Sequence, residues 1–108
     1  MTPWLNFTGF DVPTHTQQSF EDYIIHGIPP GSFIYAVLRN DFVMAASKAD
    51  HVNAECLQDI ARWLINVPPL ACWGTKENIG NWIADKDGVR TSYVEPIEKR
   101  RMWDALSH

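Results

Sequence analysis

The sequence is poor in cysteine, and it has neither an excess of basic residues nor a long apolar run. Its 108 residues contain two cysteines, Cys56 and Cys72, and no Cys-x-x-Cys pair. This excludes a disulfide scaffold and predicts free thiols in a reducing cytoplasm. No apolar stretch approaches the ~18 residues that a transmembrane helix needs. The first residues lack a basic region followed by an apolar run, so we expect no signal peptide. These absences predict a soluble cytoplasmic protein.

Charge and motif content exclude further function classes. The formal net charge of −4 argues against nucleic-acid binding, which needs a basic surface, and we expect no membrane partner. The six glycines are scattered, so there is no glycine-rich phosphate loop. The four histidines and two cysteines lack the short ligand spacing of a zinc site, and no nucleophile has a base beside it in the sequence. We therefore expect no metal, no cofactor and no catalytic residue, and the chain is predicted not to be an enzyme.

Apolar residues in the middle of the chain recur at steps of three and four, which is the spacing of one helix face. They are Phe42, Ala45, Ala46, Ala49, Val52, Cys56, Ile60, Trp63, Leu64 and Val67. The pattern predicts a central helix over about 42–66, ended by Pro68-Pro69. Because Asp50 could cap a second helix, the choice between one helix and two stays open, and we expect any break there to be a shallow kink.

Shorter elements are predicted on both sides of this stretch. They are helices over 16–26, 33–38, 76–84 and 96–107, with a short extended segment over 89–94. Gly27 is expected to end the first helix, and Thr75 is expected to cap the helix over 76–84. The run Phe33–Leu38 also fits a short buried strand, but the prolines before it favour a helix. The fold class is therefore all-α: a single helical domain over 1–108, built as a compact irregular bundle of five or six short helices around the central helix.

Aromatic residues are the main candidates for contact with a partner. The N-terminal arm, residues 1–14, carries several, and we expect it to dock on the body, since a free arm would be an exposed apolar binding surface. The five tryptophans exceed what a small core needs, and tryptophan is enriched at interface hot spots. The basic run Lys99-Arg100-Arg101 fits the solvated face of the last helix or a contact to phosphate or an acidic partner. The predicted partner-binding residues are Trp4, Phe7, Trp73, Arg100, Arg101 and Trp103.

Several short patterns punctuate the stretch between Tyr23 and Trp82. They are Ile28-Pro29-Pro30-Gly31-Ser32-Phe33, Ala36-Val37-Leu38-x-Asn40-Asp41, Ala49-Asp50-x-x-Asn53, Trp63-Leu64-x-Asn66 and Cys72-Trp73-Gly74. In these patterns the chain resembles a group of small, uncharacterised proteins encoded by tailed bacteriophages. The resemblance covers a little over half of the chain. It implies origin and fold more than activity, and it transfers no catalytic or binding residue.

A phage origin favours one class of function. Small acidic phage proteins often bind and block a host or defence component, so the leading hypothesis is a non-enzymatic protein-binding factor in the host cytoplasm. One alternative is an oligomeric binder, or sponge, for a small nucleotide signal, which would hold phosphate with Lys99, Arg100 and Arg101. The other alternative is a minor virion or assembly component.

Overall fold

The computed structural model describes residues 5–96, and within them every regular element is helical. The helices are α1 (Thr14–His26), α2 (Ser32–Leu38), α3 (Phe42–Lys48), α4 (His51–Glu55), α5 (Leu57–Asn66), α6 (Lys76–Ala84) and α7 (89–96), with 3-10 turns at Leu70–Cys72 and Lys86–Gly88. The all-α class is thereby confirmed, with one helix more than the five or six expected. The predicted last helix, 96–107, lies outside the described residues beyond its first position.

The core is centred on an aromatic cluster from α1, α5 and the N-terminal segment. Trp63 is fully buried, and the ring of Phe7 stacks on it with the centroids 4.5 Å apart. Phe20 packs on the same indole at 4.7 Å. Such ring pairs stabilise a core beyond the apolar area that they bury. Leu5 and Val12 are buried as well, so the N-terminal segment is docked on the body from Leu5 onward.

Two buried aromatic side chains also carry polar groups that tie distant segments together. The Tyr23 hydroxyl donates a hydrogen bond to the carbonyl oxygen of Cys72 at 2.7 Å. The Trp82 indole Nε1 donates to the carbonyl oxygen of Ile24 at 3.0 Å. Burial raises the pKa of Tyr23 above its ordinary value, so the phenol stays a neutral donor. Through these bonds the Leu70–Cys72 turn and α6 are both attached to α1.

The stretch predicted as a central helix over 42–66, in one piece or two, is divided into three helices, α3, α4 and α5. The first break is larger than a kink, because Ala49 is extended, with φ −66° and ψ 136°. The Asp50 carboxylate then accepts the backbone N–H of Asn53 at 2.7 Å and caps α4, which confirms the second helix left open above. A second break follows at Cys56, with φ −105° and ψ 7°. The local cap outweighs the continuity of the apolar pattern.

The segment predicted as extended over 89–94 is helical, and this prediction is wrong. Its valines and threonine favour a strand by composition, but a side-chain bond fixes a helical first turn. The Asp85 carboxylate accepts the backbone N–H of Thr91 at 3.0 Å and also its hydroxyl. Pro96, the last described residue, is helical and continuous with the rest of α7. A cap from outside the element therefore decides its conformation.

The ends of α1 and α6 meet at the Arg90 side chain. Its Nε donates to the carbonyl oxygen of Trp82 at 3.1 Å, near the end of α6. Gly27 ends α1 in the left-handed region, with φ 68°. A Cβ built on Gly27 would lie 2.6 Å from Arg90 Cζ. Gly27 is therefore required both by its backbone conformation and by the close approach of a guanidinium group.

We expect Gly27→Ala to lower the free energy of unfolding by about 1–2 kcal/mol, because a left-handed alanine is strained and Arg90 must move. Gly80→Ala is the matched control. Gly80 lies within α6, and a Cβ there meets nothing within 4 Å, so alanine should raise stability by up to about 1 kcal/mol. Urea denaturation of both variants measures the difference. Effects of the same sign would contradict this account of Gly27.

Candidate functional site

Four of the six predicted partner-binding residues lie outside the described part of the chain. They are Trp4, Arg100, Arg101 and Trp103. Lys99, which belongs to the phosphate-binding alternative, lies there too. For these five residues the sequence-based expectations stay predictions, and the structure places the other two candidates.

The structure places Phe7 in the core, which contradicts its prediction as a surface contact. Its side chain is 5% exposed and stacks on Trp63, because the arm docks and the central indole needs an apolar neighbour on that side. Trp73 is half-buried, and its indole Nε1 is buried without a hydrogen-bond partner among residues 5–96. Neither ring is an open aromatic surface of the kind expected.

The exposed apolar side chains mark α3 as the candidate surface. The large ones in the described residues are Ile28, Val43, Met44, Val52, Ile65, Leu70 and Tyr93. Val43 and Met44 are adjacent, 86% and 39% exposed, while Ala45 is the one buried side chain of α3. Ala46 and Ser47 are exposed too, and at three and four residues from Val43 they share its side of the helix. The outer face of α3 around Val43 is therefore apolar or small, and the exposed Lys48, four residues after Met44, lies at its end.

Local hydrogen bonds fix the start of α3. The Asp41 carboxylate accepts the backbone N–H of Met44 at 3.1 Å, as predicted for a cap. Its other oxygen lies 3.3 Å from the Arg39 guanidinium, which sits 5.0 Å from the centre of the Tyr35 ring. Asn40 turns the chain with φ 65°, a conformation that asparagine tolerates. These contacts join α3 tightly to the end of α2.

A polar network attaches α4 to α1. The Thr16 hydroxyl donates to the Asn53 side-chain oxygen at 2.5 Å, and both side chains are buried. At the surface edge of this pair, the His15 Nε2 lies 3.2 Å from the Asp50 carboxylate. An unpaired buried amide or hydroxyl would be costly, so the match between α1 and α4 is specific. These bonds hold the α4 end of the α3–α4 segment against α1.

Neither cysteine has the lowered pKa that a nucleophilic thiol needs. Burial raises the pKa of Cys72 to about 12, and its thiol donates to the carbonyl oxygen of Pro69 at 3.1 Å. Burial and the neighbouring Asp11 carboxylate raise the pKa of Cys56. Both thiols are therefore protonated near neutral pH. Within residues 5–96, no three side chains of His, Cys, Asp or Glu come together in a way that could hold a metal ion.

Comparison of the chain with protein-family models, with curated proteins and with solved structures gives no match. Over the stretch that the structure describes, no helix is both long and apolar enough to cross a membrane. The candidate surface is therefore interpreted from its own geometry.

Sequence reasoning does not single out Val43 and Met44. The signal that could mark them is the charge-free interval between Asp41 and Lys48, bounded by an aspartate cap at the start of α3 and followed by another at Asp50. Two caps so close together imply short helices, and short helices leave part of any apolar pattern in solvent. Which residues are exposed depends on packing that the sequence pattern alone does not contain.

We expect Phe7→Ala to lower the free energy of unfolding by about 3–5 kcal/mol, because it removes a buried ring from the Trp63 cluster. Thr8→Ala, an exposed neighbour, should change stability by less than about 0.5 kcal/mol. Urea denaturation monitored by tryptophan fluorescence measures both. A small effect at Phe7 would show that the arm contributes little to the core.

The pKa of Asp50 is lowered, first by the backbone N–H of Asn53 and further by His15. The folded state thus favours the carboxylate, and its contribution is complete above the unfolded pKa of about 3.9 and lost as pH falls through the lower folded value. We expect stability to fall less steeply in Asp50→Asn than in the parent protein when pH drops from about 5 to about 2. Urea denaturation at a series of pH values tests this. Parallel pH curves would exclude a contribution from Asp50.

Proposed function

We propose that the protein is a non-enzymatic binding factor encoded by a tailed bacteriophage. It acts in the host cytoplasm by binding and blocking a host or anti-phage defence protein. The observation that carries this proposal is the apolar face at the start of α3, where Val43 is 86% exposed. Single exposed apolar residues are common on proteins. Here two are adjacent on a helix that buries a single side chain, Ala45, so the helix contributes more to the surface than to the core.

The chemistry of this face suits contact with another protein. The cores of interfaces are depleted in charge and enriched in methionine, whose flexible thioether adapts to its neighbour. No charged residue lies between Asp41 and Lys48, and the Asp41 carboxylate is already paired with Arg39. A partner's apolar patch could therefore cover Val43 and Met44 while the Lys48 ammonium, on its long side chain, stays in water at the edge of the contact.

The face is also held in place before a partner arrives. Asp41 caps α3 from one side, and the Asp50 cap and the Thr16–Asn53 bond hold the segment that follows. Because these residues are ordered in the free protein, association costs less conformational entropy than it would for a mobile loop. A preorganised apolar helix face supports tight binding from a small area.

The phage origin is supported by the sequence patterns, whose residues build the scaffold that presents α3. Asp41 ends one pattern and caps α3, while Asp50 and Asn53 belong to the next and hold α4. The nucleotide-sponge alternative relies on 99–101, which lie beyond the described residues, and no contact favours the virion alternative. The protein-binding hypothesis is therefore the one with support in the fold.

The test is affinity capture from bacterial lysate with the tagged full-length chain, followed by measurement of binding to the purified partner. We expect one stoichiometric partner, and Val43→Glu should weaken its binding at least about tenfold, since the interface would then bury an unpaired carboxylate. Ile65→Glu is the matched control. Ile65 is 69% exposed on α5, so the same change there should leave binding intact.

Circular dichroism should show both variants folded, because both side chains lie in solvent in the free protein. A partner bound equally well by the parent and Val43→Glu would exclude α3 as the contact. Absence of any stoichiometric partner, together with recovery of the chain in purified phage particles, would favour the virion alternative.

A further inference from the structure

A cavity of about 340 Å³ opens between α6 and the turn that follows it. Its lining residues are Ala71, Asn78, Asn81, Lys86, Asp87 and Val89. They come from the Leu70–Cys72 turn, α6, the Lys86–Gly88 turn and the start of α7, and none belongs to the α3 surface. A volume of this size accommodates one small molecule.

The wall of this cavity holds polar groups that the fold does not use. Asn81, Lys86 and Asp87 make no side-chain hydrogen bond or ion pair with any residue of 5–96. Asn78 differs, since its amide nitrogen donates to the carbonyl oxygens of Trp73 at 2.9 Å and Leu70 at 3.3 Å. An amide, an ammonium and a carboxylate are thus available at one opening.

The turn before α7 places Asp87 in the wall of the cavity. Asp87 lies in the left-handed region, with φ 54° and ψ 24°, which is uncommon for a residue other than glycine. Asp85 has a similar conformation, with φ 52°, but its carboxylate is bound by Thr91 and secures the start of α7. The backbone N–H of Gly88 donates to the carbonyl oxygen of Asp85 at 2.9 Å and closes the turn that holds Asp87 in this conformation. The Asp87 carboxylate takes no part in that turn, so it stays available at the cavity opening.

We propose that this cavity binds a small zwitterionic molecule with the size and aliphatic character of a free amino acid. The Lys86 ammonium receives the ligand's carboxylate, and the Asp87 carboxylate receives its ammonium, as charge-assisted hydrogen bonds require. The Asn81 carboxamide, with one donor group and one acceptor, serves either end. Ala71 and Val89 contact the aliphatic part. A ligand with a single charge would leave one of the two opposite charges unmatched.

This inference goes beyond the protein-binding function and does not depend on it. The test is titration of the ¹⁵N-labelled full-length protein with L-leucine, followed by NMR. We expect saturable shifts of the Asn78 and Asn81 side-chain amide peaks and of the backbone peaks of 86–89. N-acetyl-L-leucine, which lacks the ammonium, and L-leucinamide, which lacks the carboxylate, should each bind at least about tenfold more weakly.

Two variants test the contribution of each charge at the site separately. Lys86→Gln and Asp87→Asn should each weaken L-leucine binding about tenfold, and asparagine tolerates the left-handed backbone, so the turn is kept. Asp87→Asn should leave the weak binding of N-acetyl-L-leucine unchanged, because that ligand has no ammonium group for the Asp87 carboxylate to bind. Lys76→Gln is the control, since Lys76 is an exposed lysine of α6 outside the cavity wall.

The absence of shifts at the cavity peaks with L-leucine would overturn the proposal. L-leucine binding that both variants leave unchanged would do the same. Shifts of these peaks by AMP and not by L-leucine would identify a nucleotide site instead. Each outcome is independent of whether a protein partner is captured through α3.

Discussion

The fold depends on the burial of one indole ring. Trp63 of α5 is covered on one side by Phe7 and on another by Phe20 of α1, so three segments that are distant in sequence meet on a single side chain. A fully buried tryptophan removes a large apolar area from water, and its neighbours must match its shape. This explains why the N-terminal segment is ordered although it has little regular structure: without Phe7 the ring would face solvent. Two other buried aromatic residues, Tyr23 and Trp82, attach the Leu70–Cys72 turn and α6 to α1 through bonds to backbone carbonyl groups.

Because α1, α5 and the N-terminal segment complete this core, α3 and α4 add little to it. Each buries one side chain, Ala45 and Asn53, and Phe42 packs half-buried against the core. Capping carboxylates and the Thr16–Asn53 bond hold the segment as well. Polar bonds of this kind can fix the orientation of a helix on the core even where the inner face of the helix buries few apolar side chains. A helix held in this way can present apolar residues outward, since they are not needed inside. Val43 is therefore exposed because other segments already complete the core.

Much of the local structure could be predicted from single residues, and the failures have a common physical cause. Gly27, Asp41 and Thr75 end or cap helices where the sequence places them, because capping depends on a few neighbouring atoms. The apolar repeat over 42–66 and the two valines and threonine over 89–94 were poor guides to the backbone. In both places a carboxylate bonded to a backbone N–H, at Asp50 and at Asp85, decides the conformation. The solvent exposure of individual side chains was harder to predict than the ends of the helices. Phe7 is buried and Val43 exposed although both are apolar, and only the packing of distant segments decides between them.

The short sequence patterns can now be given a physical meaning. In Cys72-Trp73-Gly74, the Cys72 carbonyl accepts the Tyr23 hydroxyl, and the Gly74 N–H donates to Leu38 O at 2.6 Å with φ 101°, a conformation suited to glycine. The patterns that contain Asp41 and Asp50 supply caps. Residues with these tasks are constrained by the fold, so any chain that shares them shares a scaffold and need not share a partner. The face of α3 and the rim of the α6 cavity lie outside the patterns, and their exposed side chains take no part in these caps or bonds. A function particular to this chain should therefore be sought in those two places, because there a substitution can change binding without disturbing a cap or a core ring.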